Sequence, residues 1–147
     1  MPEALNRDFS SHYQRQFSDI YITMIRTGII EGAGFTGGEL IRLLLNHPDV
    51  HLIFITGRGN SGQYIHEVHR GLYGETDLQF DEEPELDKID LLFLCTDAEE
   101  SRQFMQSHEI PERLKIIDFS REFRLKSEGD EFIYGLPELN RRAICKS

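Results

Sequence analysis

Residues 25–48, IRTGIIEGAGFTGGELIRLLLNHP, decide the fold. IRTGII (25–30) reads as a strand, and EGAGFTGG (31–38) is a glycine-rich turn. From residue 37 apolar side chains return at helical spacing, with Leu40, Ile41, Leu44 and Leu45 on one face. Thr36 and Glu39 have the spacing of a capping box opening a helix over 37–46, and Pro48 stops it. Strand, glycine turn and helix start together form the unit that receives a dinucleotide pyrophosphate. Glycines allow a tight turn and close backbone approach, and the first helical turn offers free amides and partial positive charge. A glycine-rich string alone is weak evidence; its place between strand and helix gives it weight. The alternative is a tight turn that holds no ligand.

The spacing departs from the usual fingerprint. Gly34 and Gly37 supply the last two glycines of a GxxGxxG pattern, but Glu31 stands first and Gly32 comes one place late. A carboxylate at that position either faces the pyrophosphate or turns to solvent. Facing it, each like-charge pair costs about 3 kcal/mol at ~6 Å and an effective dielectric near ~20.

Alternating α and β patterns continue downstream. VHLIFIT (50–56) reads as a second strand, its near-continuous apolar run suiting a parallel strand covered on both faces. Residues 57–75 form a Gly- and His-containing excursion, 76–80 a short strand, and 81–89 an acidic, solvated connection. Strands over 90–95 and 114–119 flank a helix near 98–108, and the pattern after residue 120 is irregular. This order predicts right-handed crossovers and a single α/β domain over residues 24–147: a doubly wound parallel sheet of the Rossmann type, with the turn at 31–37 on its carboxyl edge. Residues 1–23 stand apart. Phe9, Tyr13, Phe17, Ile20 and Tyr21 fall at steps of three and four, so residues 8–22 are expected either to form an amphipathic helix that packs on the domain or a partner, or to be a leader without fixed structure.

In an NAD site the second strand ends near an acid that binds the ribose 2′-hydroxyl. Here it ends Thr56-Gly57-Arg58, and Arg58 can pair with a 2′-phosphate, which favours NADP over NAD; the alternative is a surface arginine. His66 and His69 lie three apart, but no cysteine or carboxylate set completes a metal site, so no metal is expected. Cys95, at the carboxyl end of a strand, reads as a buried structural thiol, and Cys145 lacks positioned partners, so no catalytic residue is assigned.

Composition bounds the rest. The chain has 147 residues, 39% hydrophobic and 29% charged, which is globular in character and sufficient for one core. A formal charge of −10 is repelled by nucleic-acid phosphates and anionic membranes, so neither is an expected partner. No apolar run reaches the ~18 residues needed to span a bilayer. MPEALNRDFSSHYQRQF has no apolar centre to make a signal peptide, and the two cysteines form no CxxC pair, so a reduced, cytoplasmic setting is expected.

Four segments, GAGFTGGELIRLLLNHP (32–48), LLFLCT (91–96), IIDFSREFRL (116–125) and YGLPELNR (134–141), together resemble the N-acetyl-γ-glutamyl-phosphate reductase family of arginine biosynthesis. The first is also similar to aspartate-semialdehyde dehydrogenases. The resemblance covers residues 24–147 and implies NADPH-dependent reduction of an acyl phosphate to a semialdehyde, with a cysteine thiolate forming a thioester and a histidine assisting proton transfer. It implies that Gly34, Phe35, Thr36 and Gly37 bind the pyrophosphate, that Thr56 and Arg58 lie by the adenosine 2′-phosphate, that Thr96 belongs to the cofactor site near the nicotinamide, and that Ser120 and Arg124 lie near the substrate.

Glu31 replaces a small residue of the family's phosphate loop, Glu122 stands for the usual Asp, and Asp97-Ala98-Glu99 replaces a Pro-His-Gly or Ala-His-Gly type turn. The family's catalytic cysteine segment follows YGLPELN; that segment, the histidine and the substrate domain are not among these residues. Two functions are therefore expected: the cofactor domain of the reductase, inactive as an isolated chain, or a non-catalytic degenerate relative acting as a binding or regulatory module, which the added carboxylates favour. Because the family's substrate domain covers part of the nucleotide domain, the chain is expected to expose apolar surface that can support a homo-oligomer.

Overall fold

Four apolar runs form a single sheet in the computed structural model, which describes residues 24–124 and 132–146. They are β1 (Ile25–Ile30), β2 (Val50–Ile55), β3 (Leu91–Leu94) and β4 (Lys115–Asp118), in the order β2-β1-β3-β4 with all three pairings parallel. The helices are α1 (Phe35–Leu45), α2 (Ile65–Val68), α3 (Ala98–Ser107) and α4 (Pro137–Ile144). The helix expected over 8–22 lies outside the described residues.

Successive side chains on a strand point to opposite faces, and this splits the core in two. Ile29, Ile55 and Phe93 pack with Leu40 and Ile41 of α1 on one side. Ile30, Phe54, Leu92 and Leu94 pack with Phe104 of α3 on the other. The sheet is thus doubly wound, as the alternating pattern predicts. Between Thr27 and Gly28 the β1–β2 register jumps, so that Gly28 lies opposite Phe54. A Cβ on Gly28 would come within 2.3 Å of the Phe54 ring, which occupies that space.

Several expectations are corrected. Helix α1 starts at Phe35, with Gly34 as N-cap and no side-chain cap. The Thr36–Glu39 capping box is not formed, because Thr36 already lies in the first turn; the Glu39 carboxylate accepts from Arg42 Nη2 at 2.9 Å instead. Strand β2 is an edge strand flanked only by β1, so burial on both faces is confined to Phe54 and Ile55, while Leu52 and Ile53 are half-buried. No strand forms over 76–80, only isolated bridges Tyr64↔Gln79 and Thr56↔Asp81. The acidic connection 81–89 is docked rather than freely solvated. Leu86 and Ile89 are buried in the α3-side core around a 3-10 turn (Leu86–Lys88), and Asp81 Oδ2 accepts from the Ile55 amide at 2.9 Å. The region read as irregular contains α4, which opens on Pro137, whose fixed φ and missing N–H suit a first helical turn.

Apolar surface is exposed, as expected. Ile117 and Phe119 on and just after edge strand β4, Phe35 on the rim of α1, and Tyr134 and Leu139 near α4 are all open to solvent.

The Gly28–Phe54 contact is testable by size exchange. Gly28→Ala should lower the melting temperature by roughly 5–10 °C, the effect of about 1–3 kcal/mol of overpacking. Adding Phe54→Leu should recover part of that loss. A double variant no more stable than Gly28→Ala would show that the ring is not what excludes a side chain there.

Candidate dinucleotide site

Strand β1 delivers the chain to the carboxyl edge at Glu31, and the turn that follows is held from both sides. The Gly32 amide donates to the Thr56 carbonyl at 2.7 Å, tying the turn to the end of β2. The Gly32 carbonyl lies 2.7 Å from His69 Nε2; a carbonyl only accepts, so His69 carries its proton on Nε2. The His69 ring fits against α1 where Gly38 has no side chain: a Cβ there would come within 2.5 Å of Nδ1. A Cβ on Gly37 would stand 2.5 Å from Gly32 Cα, so turn and helix meet backbone to backbone.

Gly34 differs from these. It is exposed, its φ of −73° suits any residue, and the nearest atom to an added Cβ is the Glu31 carbonyl at 4.0 Å. Neither conformation nor internal packing requires glycine, while the surface above it is open and α1 begins there without a side-chain cap. Open approach to the backbone beside uncapped helical amides fits an anionic phosphate group.

Glu31 is partly exposed and held at the turn by the chain itself. Its backbone is left-handed, at φ 61°, and its Oε2 accepts from the Arg58 amide at 3.2 Å, so the side chain turns toward the loop after β2. The Arg58 guanidinium is largely exposed and its Nη2 lies 2.6 Å from Glu100 Oε1. The acidic turn after β3 caps a helix: Asp97 Oδ1 accepts from the Glu100 amide at 2.9 Å, and Glu100 Oε2 accepts from the Asp97 amide at 3.4 Å. This reciprocal box starts α3, which accounts structurally for Asp97 and Glu100.

Thr96 and Ser120 are brought together through two residues that sequence reasoning missed, Ser101 and Asp118. The Ser101 hydroxyl donates to Asp118 Oδ1 at 2.7 Å, which commits its single proton, so Thr96 Oγ1, 2.7 Å away, donates to Ser101 Oγ. Ser120 Oγ donates to Asp118 Oδ2 at 2.5 Å and accepts from the Glu122 amide at 3.1 Å. Arg124 Nε donates to the Ser120 carbonyl at 3.1 Å. Asp118 is thereby the hub joining the ends of β3 and β4 to α3. Its signal in the sequence was an acid directly after Ile116 and Ile117 at the carboxyl end of β4; Ser101, fully buried on α3, gave none.

The remaining candidates separate. His66 Nδ1 lies 3.1 Å from the Thr76 carbonyl and its ring stacks on Tyr64, while His69 faces Gly32. Among the described residues no group of three or more His, Cys, Asp or Glu is placed to hold a metal ion, and no helix is long and apolar enough to cross a membrane. Cys145 is exposed. Cys95 is half-buried, and its thiol is pushed up to about 12, first by burial and then by the charges of Asp118 and Glu31. A thiol held protonated is a poor nucleophile.

Comparison with known proteins gives this geometry a context. The family model described as "Semialdehyde dehydrogenase, NAD binding domain" matches residues 26–147. The chain is 61% identical over 124 residues to the N-acetyl-gamma-glutamyl-phosphate reductase of Phocaeicola vulgatus, covering 84% of this chain and 38% of the relative. It is 59% identical over 122 residues to that of Bacteroides thetaiotaomicron, covering 83% and 38%. The chain therefore spans less than half the length of these relatives. Among solved structures, aspartate semialdehyde dehydrogenase with NADP from Candida albicans superposes with a TM-score of 0.57 at 17% identity, over 70% of this chain and 31% of that one. Aspartate semialdehyde dehydrogenase II of Vibrio cholerae gives 0.55 at 16% identity, over 84% and 38%. At such identities the two structures speak to the fold alone.

The Cys95 environment predicts a pH signature. The folded thiol stays protonated while the unfolded one ionises near its ordinary 9.0, so above that pH the unfolded state binds fewer protons. Cys95's contribution to stability is full below pH 9.0 and declines as pH rises toward about 12. Urea unfolding across this window should show stability falling less steeply in Cys95→Ala than in the parent. Equal slopes would show that the thiol ionises as readily folded as unfolded. At neutral pH a thiol reagent should modify Cys145 and spare Cys95.

Proposed function

The chain belongs to the semialdehyde dehydrogenase NAD-binding domain family, and from that premise we propose that it is the NADP(H)-binding domain of an N-acetyl-γ-glutamyl-phosphate reductase. The observation that carries this reading is the high identity to curated reductases over more than four-fifths of the chain. The open backbone at Gly34 beside the uncapped start of α1 supports it independently. In this role the amides of Gly34, Phe35, Thr36 and Gly37 hold the pyrophosphate. Thr56 and Arg58 serve the adenosine 2′-phosphate, Thr96 belongs to the cofactor surface at the end of β3, and Ser120 and Arg124 lie toward the substrate.

The bound cofactor supplies a hydride. This chain's residues bind and orient it: Gly32, pinned between Thr56 and His69, fixes the turn, and Asp118 fixes Thr96 and Ser120 relative to each other. The activity of the whole protein is the NADPH-dependent reduction of an acyl phosphate to a semialdehyde in arginine biosynthesis, carried out in the cytoplasm. These 147 residues alone are not expected to perform it, since the Cys95 thiol is held protonated by burial and the resemblance places the nucleophile at neither cysteine. Nucleic acids and membranes are not partners of so acidic a chain, and self-association through Ile117, Phe119 and neighbouring apolar groups is the route to an oligomer. A second reading, a non-catalytic relative acting as a binding or regulatory module, is favoured by one observation: the Glu31 carboxylate, held by the Arg58 amide, adds negative charge beside the turn.

Calorimetric titration separates the two. NADPH should bind more tightly than NADH, and Arg58→Ala should cost NADPH about tenfold in affinity, the loss of one charged hydrogen bond, with NADH unaffected. No dinucleotide binding at all would favour the non-catalytic reading. Glu31→Gly should tighten both dinucleotides several-fold, because it removes a negative charge and admits the residue best suited to φ 61°. If affinity stays unchanged, the carboxylate is too far from the pyrophosphate to matter.

A further inference from the structure

The groups facing the mouth of the turn carry more negative charge than positive. Among the described residues Glu31, Asp97 and Glu100 are linked there with Arg58, while Glu99 is occupied by Arg102 and Gln103 on the surface of α3. The placement of the Arg58–Glu100 pair follows from topology. Arg58 lies just past β2, Glu100 in the first turn of α3 just past β3, and β1 runs between those strands. Their 2.6 Å contact therefore spans the carboxyl end of β1, across the entrance to the 31–34 turn. The partners are unequal. Glu100 is three-quarters buried and anchored by its second oxygen to the Asp97 amide, whereas the Arg58 side chain is 74% exposed and its backbone is tethered by Glu31.

We propose that Glu100 is a specificity-determining residue: it competes with the dinucleotide's 2′-phosphate for Arg58, so the ion pair across the entrance must break when NADP(H) binds and can persist when NAD(H) binds. This rests on the NADP(H) reading above and deepens it. The arginine that distinguishes the two dinucleotides is engaged by a fixed internal carboxylate that mimics the phosphate charge. A ligand without the 2′-phosphate offers Arg58 nothing in exchange. One with it must displace Glu100, which is then left partly buried beside the incoming anion.

Glu100→Gln tests this directly, since the amide retains an oxygen for the Asp97 N–H and preserves the helix cap. In titrations of the full 147-residue chain, Glu100→Gln should tighten NADPH by roughly two- to fivefold, the range of an exposed ion pair, and leave NADH unchanged. In an Arg58→Ala background the same substitution should have no effect on NADPH. If Glu100→Gln leaves NADPH affinity unchanged while Arg58→Ala still removes the preference for it, the competition is refuted and the cofactor site stands. Equal tightening of both dinucleotides also refutes it, reducing Glu100 to a general charge. Absence of binding by any of these proteins overturns the cofactor reading and the competition with it.

Discussion

The backbone-to-backbone meeting of Gly32 and Gly37 is the constraint on which the rest of the molecule turns. A Cβ on Gly37 would overlap Gly32, and a Cβ on Gly32 would lie 2.4 Å from Ile55 Cγ2. With both side chains absent, α1 begins directly over the end of β1, and its apolar face falls on Ile29 and Ile55. Because the helix starts so close to the sheet, its uncapped end opens at the carboxyl edge, beside the loops that follow β2 and β3. The hydrogen bonds that Gly32 donates to Thr56 and accepts from His69 then fix a turn whose geometry is already nearly determined by exclusion.

Around that turn, acidic side chains that look excessive for an anion-binding surface have specific internal partners. Asp97 and Glu100 cap α3, Glu31 holds the Arg58 amide, and Asp118 accepts a hydroxyl hydrogen bond on each of its two oxygens. Each satisfies a backbone or hydroxyl donor that would otherwise be left without a protein acceptor. Negative charge in this chain is thus partly structural, and its count near a binding surface says little until the partner of each carboxylate is known.

Much of the fold was legible because the four strands are short apolar runs bounded by turn signals, and parallel strands buried by helices must look that way. The errors share a physical cause. The capping box at Thr36 and Glu39 was a pattern of local spacing, overridden when Gly32–Gly37 contact pulled the helix start two residues earlier. Strand β2 reads as fully buried because its sequence records hydrophobicity but not which strands flank it. At the candidate site, the glycines and Arg58 are proposed from residue type alone. The Asp118–Ser101 link and the Arg58–Glu100 contact could not be, since each joins segments whose nearness is created only by the sheet order.

That order also sets a schedule for folding. The central strand β1 has β3 as one neighbour, and the Arg26–Asp90 ion pair beside that junction closes a separation of 64 residues, with Nη2 2.6 Å from Oδ1 and Nε 2.9 Å from Oδ2. During synthesis β1 emerges long before its partner, so Ile30 must wait for Leu92 and Leu94 before its face is covered. A pair of strands alone is marginal in water, and closing a long loop costs entropy before the contacts repay it. Among the described residues all three strand pairings are parallel, so no two neighbouring strands of the sheet form a hairpin. In the nascent chain α1 and β2 can cover one face and one edge of β1, but its Ile30 face and its β3 edge stay open until the segment through Leu94 is free of the ribosome.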